Sequence, residues 1–121
     1  MEEKAWRSPK IEILDLISDD SYGLWEITGW LEERVPDPGE ARNVAAHELT
    51  EMQAAGLVEI LHRESFDSPE RGMDPDEALR RLRVDRYWQV PQPGTDEDEV
   101  RAAATDAGIK YYTMNWRERS A

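Results

Sequence analysis

The sequence contains no cysteine and no long apolar run, and both absences narrow the protein classes to which it can belong. Without cysteine there are no disulfide bonds, no thiolate metal ligands and no cysteine nucleophile. No apolar stretch approaches the ~20 residues that a helix needs to cross a bilayer. Residues 1–4 (Met-Glu-Glu-Lys) lack the basic and apolar regions of a secretion signal. We therefore expect a soluble, cytoplasmic protein that does not act at a membrane.

Positive charge is also scarce. Lysine and arginine number 15 against 27 aspartate and glutamate residues, so the formal net charge is −12. The imbalance is concentrated in residues 1–61, which carry 5 basic and 14 acidic side chains, whereas residues 62–90 carry 6 and 7. The field of the whole molecule opposes general attraction to nucleic acid or to an anionic membrane. Only a local arginine patch would bind phosphates.

The first half of the chain shows helical periodicity three times. At 121 residues, of which 39% are hydrophobic, the chain has room for one domain with a core beneath a charged surface. The spacing of apolar residues predicts one helix over residues 9–18, a second from near Glu26 to Pro36, and a third over residues 40–55. Gly56 stands where a left-handed helix cap is expected.

After Gly56 the pattern changes from helix to strand. Residues 57–63 are rich in β-forming side chains, and residues 84–90 form a second strand candidate. Between them, Asp74 followed by Pro75 predicts the start of a helix. We interpret residues 57–90 as a β-hairpin that carries a helical insertion.

The C-terminal part is predicted to contain one helix and one strand. Residues 91–94 (Pro-Gln-Pro-Gly) break the chain, and Thr95 with Asp98 resembles a capping box. The acidic run that follows suits the positive end of a helix dipole, which predicts a helix as far as about Ala107. Residues 109–116 have the composition of a strand.

The order of three helices and a hairpin resembles a winged helix-turn-helix domain. Residues 49–58 (Leu-Thr-Glu-Met-Gln-Ala-Ala-Gly-Leu-Val) are similar to the end of a recognition helix, the glycine turn and the first wing strand of winged-helix transcription regulators. Residues 86–90 (Arg-Tyr-Trp-Gln-Val) resemble the returning wing strand, most nearly in PadR-like regulators, and residues 22–27 resemble the start of their second helix. The resemblance implies a single α+β domain over residues 1–121, with a winged-helix core at 9–90 and a C-terminal helix and strand at 91–121.

The same resemblance implies a homodimeric regulator that binds double-stranded DNA. Arginine and asparagine can contact base edges in the major groove, and wing arginines can hold phosphates. The candidates on the third helix are Arg42, Asn43, His47 and Thr50. The candidates on the wing are Arg63, Arg80, Arg81, Arg83 and Arg86. Residues 6–17 and 102–116 are the candidate dimer segments.

A protein-binding module is the alternative that the sequence leaves open. The first half is acidic, and partly exposed tryptophan is favoured at interface hot spots. The candidate partner-binding residues are Trp6, Trp25, Trp30 and Trp116. Such a surface suits a basic partner protein, as in an antitoxin, an immunity protein or a nucleic-acid mimic.

Motifs for catalysis and for cofactors are weak. His47-Glu48 begins the pattern of a zinc protease, but position 51 is glutamate instead of the second histidine. A metal held by His47, Glu51 and His62 is less favoured than two unrelated surface histidines. There is no glycine-rich phosphate loop. We expect no catalysis, no metal and no cofactor.

Overall fold

A computed structural model describes residues 6–118 and shows an α+β fold with five α-helices and a four-stranded antiparallel sheet in this part of the chain. The elements in chain order are α1 (Pro9–Ile17), β1 (Tyr22–Gly23), α2 (Leu24–Glu32), α3 (Ala41–Ala54), β2 (Val58–Arg63), β3 (Arg71–Gly72), α4 (Pro75–Leu82), β4 (Glu99–Ala104) and α5 (Asp106–Asn115). Short 3₁₀ helices occupy Pro38–Glu40 and Asp85–Trp88. Across residues 6–118, no helix has both the length and the apolar composition needed to cross a membrane.

The helices begin and end at the signals that the sequence carries. Ser8 Oγ accepts a hydrogen bond from the Ile11 amide at 3.2 Å and caps α1, and Asp74 Oδ1 accepts from the Glu77 amide at 2.9 Å and caps α4. Gly56 has φ of +77°, which confirms the left-handed cap after α3. The predictions of α1, α3, α4 and β2 are confirmed, and α2 begins slightly earlier than predicted.

The sheet has the order β1-β4-β2-β3, so that β4 lies between β1 and β2. In the antiparallel register, Ala102 of β4 pairs with Ile60 of β2 on one side and with Tyr22 of β1 on the other. The longest strand pair therefore joins β2 to a segment that follows it by more than thirty residues. The connecting residues 64–98 form an insertion that contains β3 and α4.

The core lies between the first three helices and one face of the sheet. Its fully buried side chains include Leu14, Ile27, Leu49, Ile60 and Val100. The insertion adds to the same core with Ala78, Leu82, Tyr87 and Trp88. The insertion is thus packed on the helices as part of the fold.

The predicted strand over residues 84–90 is wrong, because this segment turns as a 3₁₀ helix. Tyr87 and Trp88 are adjacent and both buried, whereas a strand would send them to opposite faces. The Trp88 indole donates to the Leu82 carbonyl oxygen at 2.9 Å, which holds the turn against α4. The strand that returns beside β2 is β4.

The predicted C-terminal order of helix and then strand is also wrong, because the structure has β4 followed by α5. Val100 and Ala102 are buried on one face of β4, with the period of two that a strand requires. Thr105 Oγ1 accepts from the Gly108 amide at 3.1 Å and starts α5, where residues 109–116 were expected to be extended.

The start of α5 packs tightly against the turn that follows α3. The Thr105 amide donates to the Leu57 carbonyl oxygen at 3.0 Å, and the Thr105 hydroxyl donates to the Gly56 carbonyl oxygen at 2.6 Å. A Cβ atom on Gly108 would overlap the carbonyl group of Leu57. Glycine is therefore required at position 108 by close approach of two backbones.

We expect Gly108→Ala to lower the free energy of unfolding by about 1–3 kcal/mol, because the added methyl group displaces the backbone at Leu57. The matched control is Gly29→Ala within α2, where an added Cβ meets nothing within 4 Å. This control should gain roughly 0.5–1 kcal/mol from helix propensity. Urea unfolding followed by circular dichroism measures both. Equal effects of the two substitutions would contradict the close contact at Gly108.

Candidate interaction surfaces

Helix α3 buries one face and exposes the opposite one. Ala45 and Leu49 are fully buried in the core, whereas Asn43, His47 and Glu51 are exposed. The exposed residues recur every four positions and form one stripe along the helix. An accessible helix face of this kind can contact a partner molecule.

Three of the four candidate base-contacting side chains on α3 make contacts within the chain. Arg42 forms an ion pair with Asp85 of the insertion. Asn43 Nδ2 donates to Glu40 Oε2 at 3.2 Å, and Thr50 Oγ1 donates to the Ala46 carbonyl oxygen at 2.8 Å. The fourth candidate, His47, is exposed on the stripe.

The surface formed by α2, α3 and the segment between them is acidic. Residues 26–55 carry seven carboxylates and two arginines, Arg34 and Arg42. The guanidinium of Arg34 stacks on the ring of Trp30 with 3.3 Å to the ring centroid, and its Nε lies 3.9 Å from Glu12. The exposed acidic residues of this surface are Glu32, Glu33, Asp37, Glu40 and Glu51. We call these five residues the acidic face.

Asp98 collects hydrogen bonds from the sheet and from the insertion. Arg86 donates to Oδ1 at 2.6 Å, and Tyr87 donates to Oδ2 at 2.6 Å. His62 Nε2 lies 2.9 Å from Oδ2, and Arg81 donates to the Tyr87 hydroxyl oxygen at 2.6 Å. Two arginines that were candidates for phosphate binding, Arg81 and Arg86, therefore converge on one carboxylate.

This network shifts the protonation of its members. Partial burial acts to raise the pKa of Asp98, but hydrogen bonds from Arg86, Tyr87 and His62 outweigh burial and hold that pKa far below its usual range. Burial raises the pKa of Tyr87, and the hydrogen bond to Asp98 adds to this effect. The hydrogen bond to Asp98 also raises the pKa of Arg86. The carboxylate is thus ionised throughout the ordinary pH range.

A second set of ion pairs crosses the sheet. Arg63 donates to Glu99 at 2.6 Å, and Arg101 donates to the same carboxylate at 2.9 Å. Arg101 also donates to Glu70 of the insertion at 3.0 Å. Arg63 of β2 therefore stabilises the sheet through its ion pair with Glu99 of β4. Of the wing candidates, Arg80, Arg83 and Arg86 have exposed side chains, and Arg86 is also paired with Asp98.

The tryptophans differ in exposure. Trp30 is half-buried, and its indole donates to the Glu12 carbonyl oxygen at 2.9 Å. Trp6 and Trp25 are also half-buried, whereas Trp116 at the end of α5 is 46% exposed. Trp30 and Trp116 are both linked to the start of α1, because Arg7 forms an ion pair with Glu12 and its Nη1 donates to the Trp116 carbonyl oxygen at 3.4 Å.

The sequence interpretation missed the contact between His62 and Asp98. His62 is buried, which corrects the expectation of a surface histidine. It follows Val58 and Ile60 at the spacing of one strand face, and this pattern was a signal of burial. Nothing in the sequence indicated that Asp98 would be partly buried, because the acidic run around it is typical of the start of a helix. Among the described residues, no three histidine or carboxylate groups converge as a metal site requires.

Comparison with known proteins does not assign a family. No protein-family model, no curated protein and no solved structure matches the chain. The contacts and charges of residues 6–118 are therefore the basis for the function proposed.

We expect Asp98→Asn to lower the free energy of unfolding by about 1–3 kcal/mol near neutral pH, because charged donors lose a carboxylate acceptor. Unfolded Asp98 takes up a proton near pH ~4, whereas the folded residue is still ionised there. Its stabilisation is therefore complete above about pH 5 and is lost as the pH falls below ~4. Urea unfolding at about pH 7 and about pH 3 measures this dependence.

Asp67→Asn, which alters an exposed carboxylate of the insertion, is the matched control. The difference in stability between the native chain and the Asp98→Asn variant should shrink towards acid, whereas the control should stay close to the native chain at both pH values. A difference that is constant with pH would contradict the assigned role of Asp98.

Proposed function

We propose that the chain is a winged helix-turn-helix domain whose wing consists of β2 and β4. The support is the packing of an antiparallel strand pair on three consecutive helices, with α3 directly before the first strand of the pair. The wing in this proposal carries residues 64–98 as its insertion. The insertion folds back, so that Arg42 of α3 pairs with Asp85 and α4 packs beside α3.

We infer that this domain is a protein-interaction module whose acidic face binds a basic surface of a partner protein. The observation that carries the proposal is the sign of the exposed charge on α2, α3 and their turn. Five exposed carboxylates define this face, whereas Arg34 and Arg42 are each held by a ring or a carboxylate of the same chain. Charge of one sign on an accessible surface favours association with a surface of the opposite sign.

The pairing of the arginines argues in the same direction. A protein that binds duplex DNA neutralises phosphates with lysine and arginine. Here Arg63, Arg81 and Arg86 contact Glu99 or Asp98 inside the chain. Moving them to phosphates would leave those carboxylates without their partners, which costs free energy because they are largely shielded from water.

DNA binding is the second candidate, and one observation favours it. Asn43 and His47 lie on the exposed stripe of α3, and two exposed arginines, Arg80 in the last turn of α4 and Arg83 directly after it, belong to the helix that packs beside α3. These four side chains are accessible to a duplex. In this alternative the affinity would fall steeply with salt, because released counterions drive binding.

The test compares two triple variants that have the same net charge. The first, Glu33→Lys/Glu40→Lys/Glu51→Lys, reverses charge on the acidic face, and the second, Glu64→Lys/Asp67→Lys/Asp76→Lys, reverses exposed charges of the insertion. The immobilised native chain should capture a basic protein from an extract. The purified partner should then bind the first variant at least ~10-fold more weakly and the second nearly as well as the native chain.

Two outcomes of this test would contradict the proposal that the acidic face binds a basic partner. Equal weakening by both variants would mean that net charge alone attracts the partner, and the acidic face would have no special role. Fluorescence anisotropy with a mixed-sequence duplex of about 20 base pairs at low salt provides the DNA arm. Duplex binding that is lost in Arg80→Ala/Arg83→Ala, together with capture of no protein, would favour the DNA candidate.

A further inference from the structure

A cavity of about 220 Å³ lies at the end of the strand pair β2 and β3. Its lining residues are His62, Glu64, Ser68, Pro69 and Arg71. His62 of β2 pairs with Arg71 of β3 in the antiparallel register, so their side chains are neighbours. Glu64 follows His62 at the spacing of one strand face, and the turn that joins the strands supplies Ser68 and Pro69. The register of the two strands therefore brings charged and polar groups to one cavity.

The imidazole of His62 is nearly buried, with 7% of its side chain exposed. Its Nε2 lies 2.9 Å from Oδ2 of Asp98, and this carboxylate is ionised, so Nε2 carries the proton and donates. Arg81 Nη1 lies 3.4 Å from Nε2 but donates to the Tyr87 hydroxyl oxygen at 2.6 Å. In the neutral ring Nδ1 is then an acceptor, and its 3.5 Å contact with Arg71 Nη2 is at the limit of a hydrogen bond. Nδ1 is therefore available to accept a hydrogen bond from a ligand.

The cavity carries one cation and one anion. The Arg71 side chain is 55% exposed and contacts Glu77 through Nη2 at 3.3 Å, so its Nε and Nη1 have no partner among residues 6–118. Glu64 is exposed and forms no ion pair with another residue of this part of the chain. Charge-assisted hydrogen bonds from Arg71 suit a carboxylate, and Glu64 suits an ammonium group. This pairing of charges favours a ligand that carries both.

The volume limits the size of that ligand. At ~30 Å³ per water molecule, the cavity has room for about seven waters, which is the size of the smaller free amino acids. Ser68 Oγ lies 2.6 Å from Ser65 Oγ, so when Ser65 donates to Ser68, the Ser68 hydroxyl is free to donate to a carboxylate. The ring of Pro69 supplies an apolar wall beside a short side chain.

We propose that this cavity binds a small zwitterion of the class of free α-amino acids. Arg71 and the Ser68 hydroxyl hold its carboxylate, and Glu64 with Nδ1 of His62 holds its ammonium group. A peptide terminus suits the cavity less well, because each end of a peptide presents only one of the two charges. None of these residues belongs to the acidic face, so this inference does not depend on binding of a basic partner.

Titration of the full chain with L-alanine, followed by nuclear magnetic resonance of the backbone amides, tests the proposal. The amide signals of residues 62–72 should shift saturably, with a Kd of about 0.1–1 mM for so small a ligand. N-acetyl-L-alanine lacks the ammonium group and L-alaninamide lacks the carboxylate, so each should bind at least ~10-fold more weakly. Equal or tighter binding of either analogue would assign the cavity to a peptide terminus and overturn the proposal.

Substitutions at the cavity identify the two charged contacts. Glu64→Gln and Arg71→Gln should each weaken binding of L-alanine at least ~10-fold, because each removes a charged partner. Glu64→Gln should leave the weak binding of N-acetyl-L-alanine unchanged, since that ligand has no ammonium group. The matched controls are Asp67→Asn in the same turn and Arg80→Gln on α4, both at exposed positions outside the cavity. They should bind L-alanine as the native chain does.

Three further results would overturn the proposal. The first is the absence of saturable shifts up to roughly 50 mM L-alanine, far above the expected Kd. The second is a set of shifts confined to residues outside 62–72. The third is equal weakening by the cavity variants and their controls. The amide spectrum of each variant also shows that it is folded, so loss of binding is distinguished from loss of structure.

Discussion

The ionised carboxylate of Asp98 joins the two parts of the chain on which the fold depends. It lies directly before β4, accepts hydrogen bonds from Arg86 and Tyr87 of the insertion, and faces His62 of β2. The insertion is long, so its return to the sheet carries a loop-closure cost, which these bonds and the burial of Trp88 offset. Because these contacts hold the end of the insertion beside β2, the residues that follow Asp98 form β4 between β1 and β2.

The same arrangement determines which charges reach solvent. Because Asp98 and Glu99 hold arginines of the sheet and insertion, much of the basic charge near β2 and β4 is neutralised within the chain. Arg42 is neutralised in the same way by Asp85. The carboxylates of the acidic face remain exposed. Internal pairing of arginines thus connects the stability of the fold to the sign of its accessible surface.

The sequence predicted elements whose signals are local. Apolar spacing and caps located α1, α3 and α4, and β-forming residues located β2. Residues 99–104 (Glu-Val-Arg-Ala-Ala-Ala) have helix-forming composition, yet they are extended because strands pair on both sides of them. Residues 109–116 are rich in aromatic residues and appeared extended, but the Thr105 cap and the close approach at Gly108 start a helix instead.

For the candidate residues, the sequence predicted which side chains on α3 are exposed but not which ion pairs they form. Exposure of Asn43 and His47 follows from the helical period of α3. The pairs Arg42–Asp85 and His62–Asp98 join residues far apart in sequence, and only the tertiary fold brings them together. A charge count by segment gave the acidic first half. It did not indicate that arginines of β2 and the insertion would form ion pairs with carboxylates of the same chain.

The central claim is that the exposed surface of α2 and α3 is negative because nearby arginines are paired within the chain. Nuclear magnetic resonance with a cationic and an anionic paramagnetic cosolute measures the local potential at each amide. The cationic cosolute should relax the amides of Asn43, His47 and Glu51 more strongly than the anionic one does, with a smaller difference in high salt. Stronger relaxation of these amides by the anionic cosolute would contradict the account.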